Sequence, residues 1–173
     1  MATTRDVIIE TLNALRNQHP NWPGNATTQL MNGLLETLDI VDDFDADIPY
    51  SGPDPGDLHV HAAAVACRAA FLVTDDGGFA RMAGDDQPYE VITADQFFVL
   101  VDDSAPHIVA EATRNQLRWW ATNKKQKADL AEHLAAAGCP QFAARVAGHV
   151  KEQAGVLTRR QRRKILTREQ GNA

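Results

Sequence analysis

Apolar residues recur at helical spacing through the first forty positions of the chain. The spacing predicts a helix from Thr4 to Asn17, which ends before two prolines. A second helix is predicted to reach Leu38, with Asn25 or Thr27 as its N-terminal cap. Each helix carries one apolar side that we expect to face a core: Val7, Ile8, Leu12 and Leu15 in the first helix, and Leu30, Leu34, Leu35 and Leu38 in the second.

The middle of the chain alternates helices with short apolar strands. An irregular loop rich in Pro, Gly and Asp leads into a third helix, predicted from Leu58 to Ala70. The apolar runs Ala70–Thr74 and Tyr89–Thr93 predict buried strands of the parallel type, the first of which ends in a turn at residues 75–78. A helix from Ala94 to Val101 follows. This alternation predicts an α/β fold, in which chemistry lies at the carboxyl ends of the strands.

From Pro106 onward the spacing is helical again. Three helices are predicted, over residues 106–122, 127–137 and 140–150. The first contains Trp119 and Trp120, which either pack in a core or interface or stack on nucleic-acid bases. The predicted organisation is a core, a C-terminal helical region and a tail, over residues 1–105, 106–150 and 151–173.

The composition is that of one ordinary globular domain. Of the 173 residues, 44% are hydrophobic, and the net charge of −6 excludes a polycation that coats nucleic acid or an anionic membrane. Even the apolar run Ala62–Ala66 is far shorter than the roughly 20 residues of a bilayer span. No apolar signal core follows the N-terminus, so we expect a cytoplasmic protein with no membrane partner. Cys67 and Cys139 have no metal or redox spacing and are expected to be reduced and buried.

Charge is distributed unevenly along the chain. Residues 151–173 hold seven basic and two acidic side chains, whereas residues 39–57 hold seven acids and no Lys or Arg. The basic end is either an RNA-contacting arm or a soluble tail. Its candidate RNA-binding residues are Arg159, Arg160, Arg162, Arg163 and Lys164.

Three acids stand out by position. Glu10 lies in an apolar helix, Asp57 opens the third helix, and Asp76 follows a predicted strand. Two carboxylates about 4 Å apart repel by roughly 4 kcal/mol at an effective dielectric constant of about 20, so three together need raised pKa values or a bound cation. Carboxylate oxygens favour Mg²⁺ or Mn²⁺, which promote phosphodiester cleavage. The alternative is that these acids cap helices or lie in solvent.

Other chemistries lack their motifs. Neither Ser51 nor Ser104 stands in Gly-x-Ser-x-Gly, and His59 and His61 diverge on a helix and cannot share a metal ion. Gly77-Gly78 lacks the rest of a phosphate-binding loop. Acyl transfer and nucleotide binding of those kinds are disfavoured, so the acids carry the candidate chemistry.

Three segments in the middle of the chain and one near its end carry a family resemblance. They are Asp54-Pro-Gly-Asp57 with the alanine-rich helix after it, Thr74-Asp-Asp76-Gly-Gly-Phe79, Thr93-Ala-Asp95-Gln-Phe97, and residues 134–145. Together they resemble PIN-domain ribonucleases, in particular the bacterial branch that includes VapC-like toxins. The likeness covers roughly residues 4–150.

The resemblance implies a fold and a metal site. The fold would be a PIN-like three-layer α/β structure with a short parallel sheet and C-terminal helices. The acidic site would fall on Glu10, Asp57 and Asp76, with Asp75 as an auxiliary ligand and Thr74 as a hydroxyl behind them. The family opens with a strand in the middle of its sheet that ends in a further Asp. Nothing here precedes the Glu10 helix, so that strand and its carboxylate are expected to be missing.

The resemblance implies a Mg²⁺- or Mn²⁺-dependent endoribonuclease, the toxin of a toxin–antitoxin system or the larger part of a split one. Its expected partners are an RNA substrate, an antitoxin protein, and a companion peptide or second copy that completes the sheet. The alternative is a non-catalytic PIN-like protein that binds protein or RNA. A phosphoacceptor at Asp75-Asp76 is disfavoured, because no suitable Lys strand follows.

Overall fold

The computed structural model describes residues 1–82, 87–123 and 129–152. In these residues the protein is mostly helical and contains four short strands. The strands are β1 (Ala2–Thr3), β2 (Asp39–Ile40), β3 (Phe71–Val73) and β4 (Glu90–Ile92). The helices are α1 (Arg5–Gln18), α2 (Gly24–Thr37), α3 (Leu58–Ala66), α4 (Gly77–Met82), α5 (Ala94–Ser104), α6 (Pro106–Asn123), α7 (Leu130–Ala136) and α8 (residues 140–152).

The strands pair in parallel, as two separate sheets in the described part of the chain. β1 pairs with β2, and β3 pairs with β4 in the register Leu72↔Val91. The α/β prediction is confirmed, whereas the PIN-like arrangement stays a prediction. The expectation that nothing precedes the Glu10 helix is wrong, because β1 does so. Two residues are too few to show an alternating pattern in the sequence.

The first two helices begin differently. α1 starts as predicted, with the Oγ1 of Thr4 accepting the N–H of Val7 at 3.2 Å. α2 starts at Gly24 with Pro23 in the cap position and no side-chain cap, so the predicted caps Asn25 and Thr27 are wrong. The predicted buried leucine stripe of α2 is also wrong, because none of its residues is fully buried and Leu35 is 37% exposed.

α3 is shorter than predicted. It ends at Ala66 rather than Ala70, because Arg68 turns the backbone into the left-handed region with φ of 52°. This turn leaves Cys67 exposed, contrary to prediction, whereas Cys139 is buried as predicted. Before α3, a single 3₁₀ turn over Pro55–Asp57 replaces the end of the loop expected to be irregular.

The turn predicted at residues 75–78 is also replaced by helix, because α4 begins at Gly77. Later bounds differ by a few residues. α5 continues to Ser104, three residues beyond the predicted end. α7 begins at Leu130, where Asp129 accepts the N–H of Glu132 at 3.1 Å, three residues after its predicted start.

The chain divides into two compact units, Met1–Ile92 and Thr93–Ala173. The predicted domain limits at residues 105 and 150 stay a prediction. In the first unit the buried side chains cluster around α3 and β4: His61, Ala62, Ala63, Ala64, Phe79, Tyr89 and Ile92. In the second unit they come from α5, α6 and the α7–α8 region: Asp95, Asp102, Val109, Thr113, Cys139, Ala143 and Val146.

Buried carboxylates of α5 hold α8 in the second unit. Asp95 accepts the backbone N–H groups of Gln141 and Phe142 at 3.1 and 2.8 Å, which caps α8. Nearer the other end of α8, His149 Nε2 lies 2.6 Å from an oxygen of buried Asp102. No helix within the described ranges has the length and hydropathy needed to cross a membrane.

Candidate acidic site

Asp57 occupies the N-cap position of α3 without capping it. Its side chain accepts no hydrogen bond from the first turn of the helix. The capping role one turn earlier belongs to Asp54, whose Oδ1 accepts the N–H of Gly56 at 2.8 Å and starts the 3₁₀ turn. The half-buried carboxylate of Asp57 therefore does not cap the helix.

Asp76 is fixed at the end of β3. Its Oδ1 accepts the N–H of Gly78 at 2.5 Å, and its own N–H donates to the Oγ1 of Thr74 at 3.1 Å. A Cβ on Gly78 would lie 2.8 Å from this Oδ1, so only glycine lets the carboxylate approach the backbone so closely. Thr74, predicted to stand behind the acids, thus orients the backbone of Asp76. The predicted auxiliary Asp75 is exposed beside it.

The charges of several acids converge on Asp57. Burial raises the pKa of its carboxyl group most, followed by the negative charges of Asp54 and Asp76, while Glu10 adds a smaller effect in the same direction. His59 acts in the opposite direction and lowers this pKa. The structure thus brings the charges of Glu10 and Asp76 to bear on Asp57 from different elements, α1 and the end of β3.

Tyr50 belongs to the same cluster, although sequence reasoning missed it. Its hydroxyl is buried and has no hydrogen-bond partner among the described residues. Burial raises its pKa, and the charges of Asp57, Asp54 and Asp76 raise it further. The only signal in the sequence was the position of this tyrosine beside the Pro/Gly/Asp loop. Asp54 was likewise not predicted as a site residue, although it belongs to the motif Asp54-Pro-Gly-Asp57.

The donor chemistry of this cluster fits a hard cation. Carboxylate oxygens are the ligands that Mg²⁺ and Mn²⁺ prefer, and a cation would stabilise both the ionised form of Asp57 and the orphaned hydroxyl of Tyr50. Within the described ranges, however, no three His, Cys, Asp or Glu side chains are arranged to hold a metal ion. Ligation by Glu10, Asp57 and Asp76 therefore requires their side chains to turn toward one centre.

The predicted RNA-contacting residues Arg159, Arg160, Arg162, Arg163 and Lys164 lie outside the described residues. The two tryptophans of α6 differ in exposure. Trp119 is 51% exposed, whereas Trp120 is half-buried and packs edge-on against His133, with ring centroids 4.9 Å apart. Trp120 therefore contributes to packing between α6 and α7.

The comparisons with known proteins bear on the second compact unit. Residues 94–148 match the family model of the VapC50 C-terminal domain. The matched segment begins at the start of α5 and ends within α8. No match was found among curated proteins or among solved structures. The family match suggests a toxin of the VapC family.

Proposed function

We propose that this chain is a metal-dependent endoribonuclease of the PIN type, the toxin of a toxin–antitoxin pair or the larger part of a split one. One observation carries the proposal: residues 94–148 match the family model of the VapC50 C-terminal domain. The acids support it, because burial raises the pKa of Asp57 and the charges of Asp54, Asp76 and Glu10 raise it further. Such a cluster of acids is suited to a divalent cation, and the similarity of residues 94–148 to the VapC50 C-terminal domain points to the same class.

In this proposal Glu10, Asp57 and Asp76 hold Mg²⁺ or Mn²⁺, with Asp75 as an auxiliary ligand. The ion supplies charge neutralisation at a phosphodiester and a lower pKa for an attacking water. The remaining work falls to the chain. The Gly78 N–H restrains the Asp76 carboxylate through Oδ1, and the Thr74 hydroxyl fixes the backbone beneath it.

The partners follow from the same proposal. An RNA strand brings its phosphates to the acidic cluster, and the basic residues between Arg159 and Lys164 contact it beyond the site. An antitoxin protein binds the chain and restrains its activity.

We further propose a companion strand, from a peptide or a second copy. Each sheet in the described residues has only two strands, so each strand has one edge that pairs with no other described strand. The edge of a strand presents unpaired backbone groups, and an added strand would pair with them. On β3, Phe71 is 43% exposed.

A non-catalytic role in binding RNA or protein is the second candidate. It is favoured by the finding that no three potential ligands in the described residues are already arranged to hold a metal ion. Under this alternative, RNA would be bound in the presence of Mn²⁺ and would remain intact.

Asp76→Asn tests the proposed activity. Purified chain should show weak or no RNA cleavage in Mg²⁺ or Mn²⁺, strong cleavage once a peptide supplies the strand and its Asp, and none in a chelator. Asp76→Asn should reduce cleavage to background, because a neutral amide is a poorer ligand for a hard cation. Asp43→Asn, an exposed acid of the loop after β2, is the matched control and should cleave like the wild type. Cleavage that persists in Asp76→Asn, or in chelator, would contradict the proposal.

A further inference from the structure

A pocket of about 620 Å³ lies in the first compact unit and shares Tyr50 with the acidic cluster. Its apolar walls come from Ile48, Val65 and Pro88, and its other walls from the rings of Tyr50 and His61 and the amide of Gln87. The volume is ample for one nucleobase, and the mixture of apolar walls with a few polar groups is typical of small-molecule sites.

The rings of the pocket are held in place. The ring centroids of Tyr50 and His61 are 5.5 Å apart, and His61 also packs edge-on against Tyr89 at 5.7 Å. The Nδ1 of buried His61 lies 2.6 Å from the hydroxyl of Tyr89. Burial lowers the pKa of His61, which keeps its ring neutral near pH 7. These contacts create a rigid, uncharged aromatic wall suited to a planar ring.

Two polar atoms of the pocket residues have no hydrogen-bond partner in the described part of the chain. They are the hydroxyl of Tyr50 and the Oε1 of Gln87, and both are buried. An unsatisfied buried polar group costs about 1–3 kcal/mol, so a ligand that satisfies either one recovers part of this cost. Because both atoms are covered, their side chains must turn slightly as the ligand enters. A base edge carries the donors and acceptors that these groups lack.

We propose that this pocket holds one nucleobase of the RNA strand whose phosphate lies at the acidic cluster, and that Gln87 selects which base it is. The proposal rests on the proposed ribonuclease function for the identity of the strand. Tyr50 connects the two places, because its ring lines the pocket and the pKa of its hydroxyl is raised by burial first and then by the charges of Asp57, Asp54 and Asp76.

The test uses the four ribonucleosides, which carry the base without a phosphate, and a chelator that removes metal ions. Nuclear magnetic resonance follows the ring signals of Tyr50 and His61 during each titration. We expect one nucleoside to shift the signals of both rings and to bind more tightly than the other three. Gln87→Ala should weaken the binding of that nucleoside by about fivefold or more, which corresponds to the loss of roughly one hydrogen bond. Gln29→Ala, an exposed glutamine of α2, should bind like the wild type.

Val65→Phe is a second variant that fills the pocket and should abolish the shifts. Equal affinity for all four nucleosides, or unchanged binding in both pocket variants, would overturn the proposal. RNA cleavage is measured in parallel, so the two proposals can fail separately. Selective binding by a chain that cleaves no RNA even with the strand peptide added would retain the pocket and reject the ribonuclease. Cleavage with no nucleoside binding would retain the ribonuclease and reject the pocket.

Discussion

At the scale of single residues, the unusual environment of Asp57 is the feature with the clearest consequence for stability. Its folded-state pKa is raised, so the folded chain holds this proton more tightly than the unfolded chain does. Stability from this group is therefore fully present below the ordinary carboxyl pKa of about 4 and is lost as the pH rises through the raised value. At neutral pH the ionised carboxylate opposes folding.

Asp57→Asn should therefore raise the melting temperature at pH 7 by about 1–3 °C, and the gain should disappear below pH 4. Mg²⁺ should stabilise the wild type more than the variant, because the variant lacks a charged ligand. Thermal melts across pH, with and without Mg²⁺, measure both effects. A lower melting temperature for Asp57→Asn at pH 7 would show that the charge of Asp57 is compensated within the chain.

The acids of this site could be selected from the sequence because their positions follow from local structure. Asp57 stands at the start of an alanine-rich helix and Asp76 at the end of an apolar strand, and both placements hold. Tyr50 and Asp54 could not be selected in the same way. The role of Tyr50 arises only when its loop brings the ring against His61 and the hydroxyl toward carboxylates on other elements.

At the scale of elements, Asp95 holds α8 to the start of α5. Both of its oxygens accept backbone N–H groups from the first turn of α8, and the side chain is only 5% exposed. Asp95→Ala leaves these N–H groups without their acceptor and should lower the free energy of unfolding by about 2 kcal/mol.

Urea denaturation measures this loss. Asp95→Asn keeps one acceptor oxygen and should lose less than Asp95→Ala. Asp103 lies on α5 like Asp95, and its exposed carboxylate pairs with Arg145. Asp103→Ala should lower the free energy of unfolding less still, because exposed ion pairs contribute little. Equal losses for Asp95→Ala and Asp103→Ala would contradict the assigned role of Asp95.

The helices other than α4 were predictable to within a few residues because their apolar spacing is local, whereas α4 begins where a turn was predicted. The wrong helix bounds and caps arose from features that the spacing of apolar residues does not encode. α2 begins on Gly24 without a side-chain cap, and α3 ends because Arg68 takes a left-handed conformation. The cap that Asp95 provides joins residues 46 positions apart, so no local sequence pattern could predict it.

At the scale of the whole molecule, one edge of β3 pairs with no other strand in the described residues. The backbone groups of Ala70 and Thr74 face β4, with hydrogen bonds of 3.0 and 2.9 Å, and strand alternation turns those of Phe71 and Val73 the other way. We expect the amides of Phe71 and Val73 to exchange hydrogen faster than the amide of Thr74.

Amide exchange also identifies what covers this edge. Protection of Phe71 and Val73 that grows with protein concentration would identify a second copy, and protection only with an added strand peptide would identify a companion. Slow exchange of both amides in dilute chain alone would contradict an open edge. The pairing of strands could be predicted only as parallel, because strands of two or three residues do not specify their neighbours.

Binding of Mn²⁺ in solution tests the proposed metal site without depending on RNA cleavage or a companion strand. Mn²⁺ is paramagnetic and broadens the resonances of nearby amides. Sub-stoichiometric Mn²⁺ should broaden the amides of Glu10, Asp57 and Asp76 first, and Asp76→Asn should remove this pattern. Broadening confined to the exposed acids at residues 42–47, or unchanged by Asp76→Asn, would contradict a shared metal site at Glu10, Asp57 and Asp76.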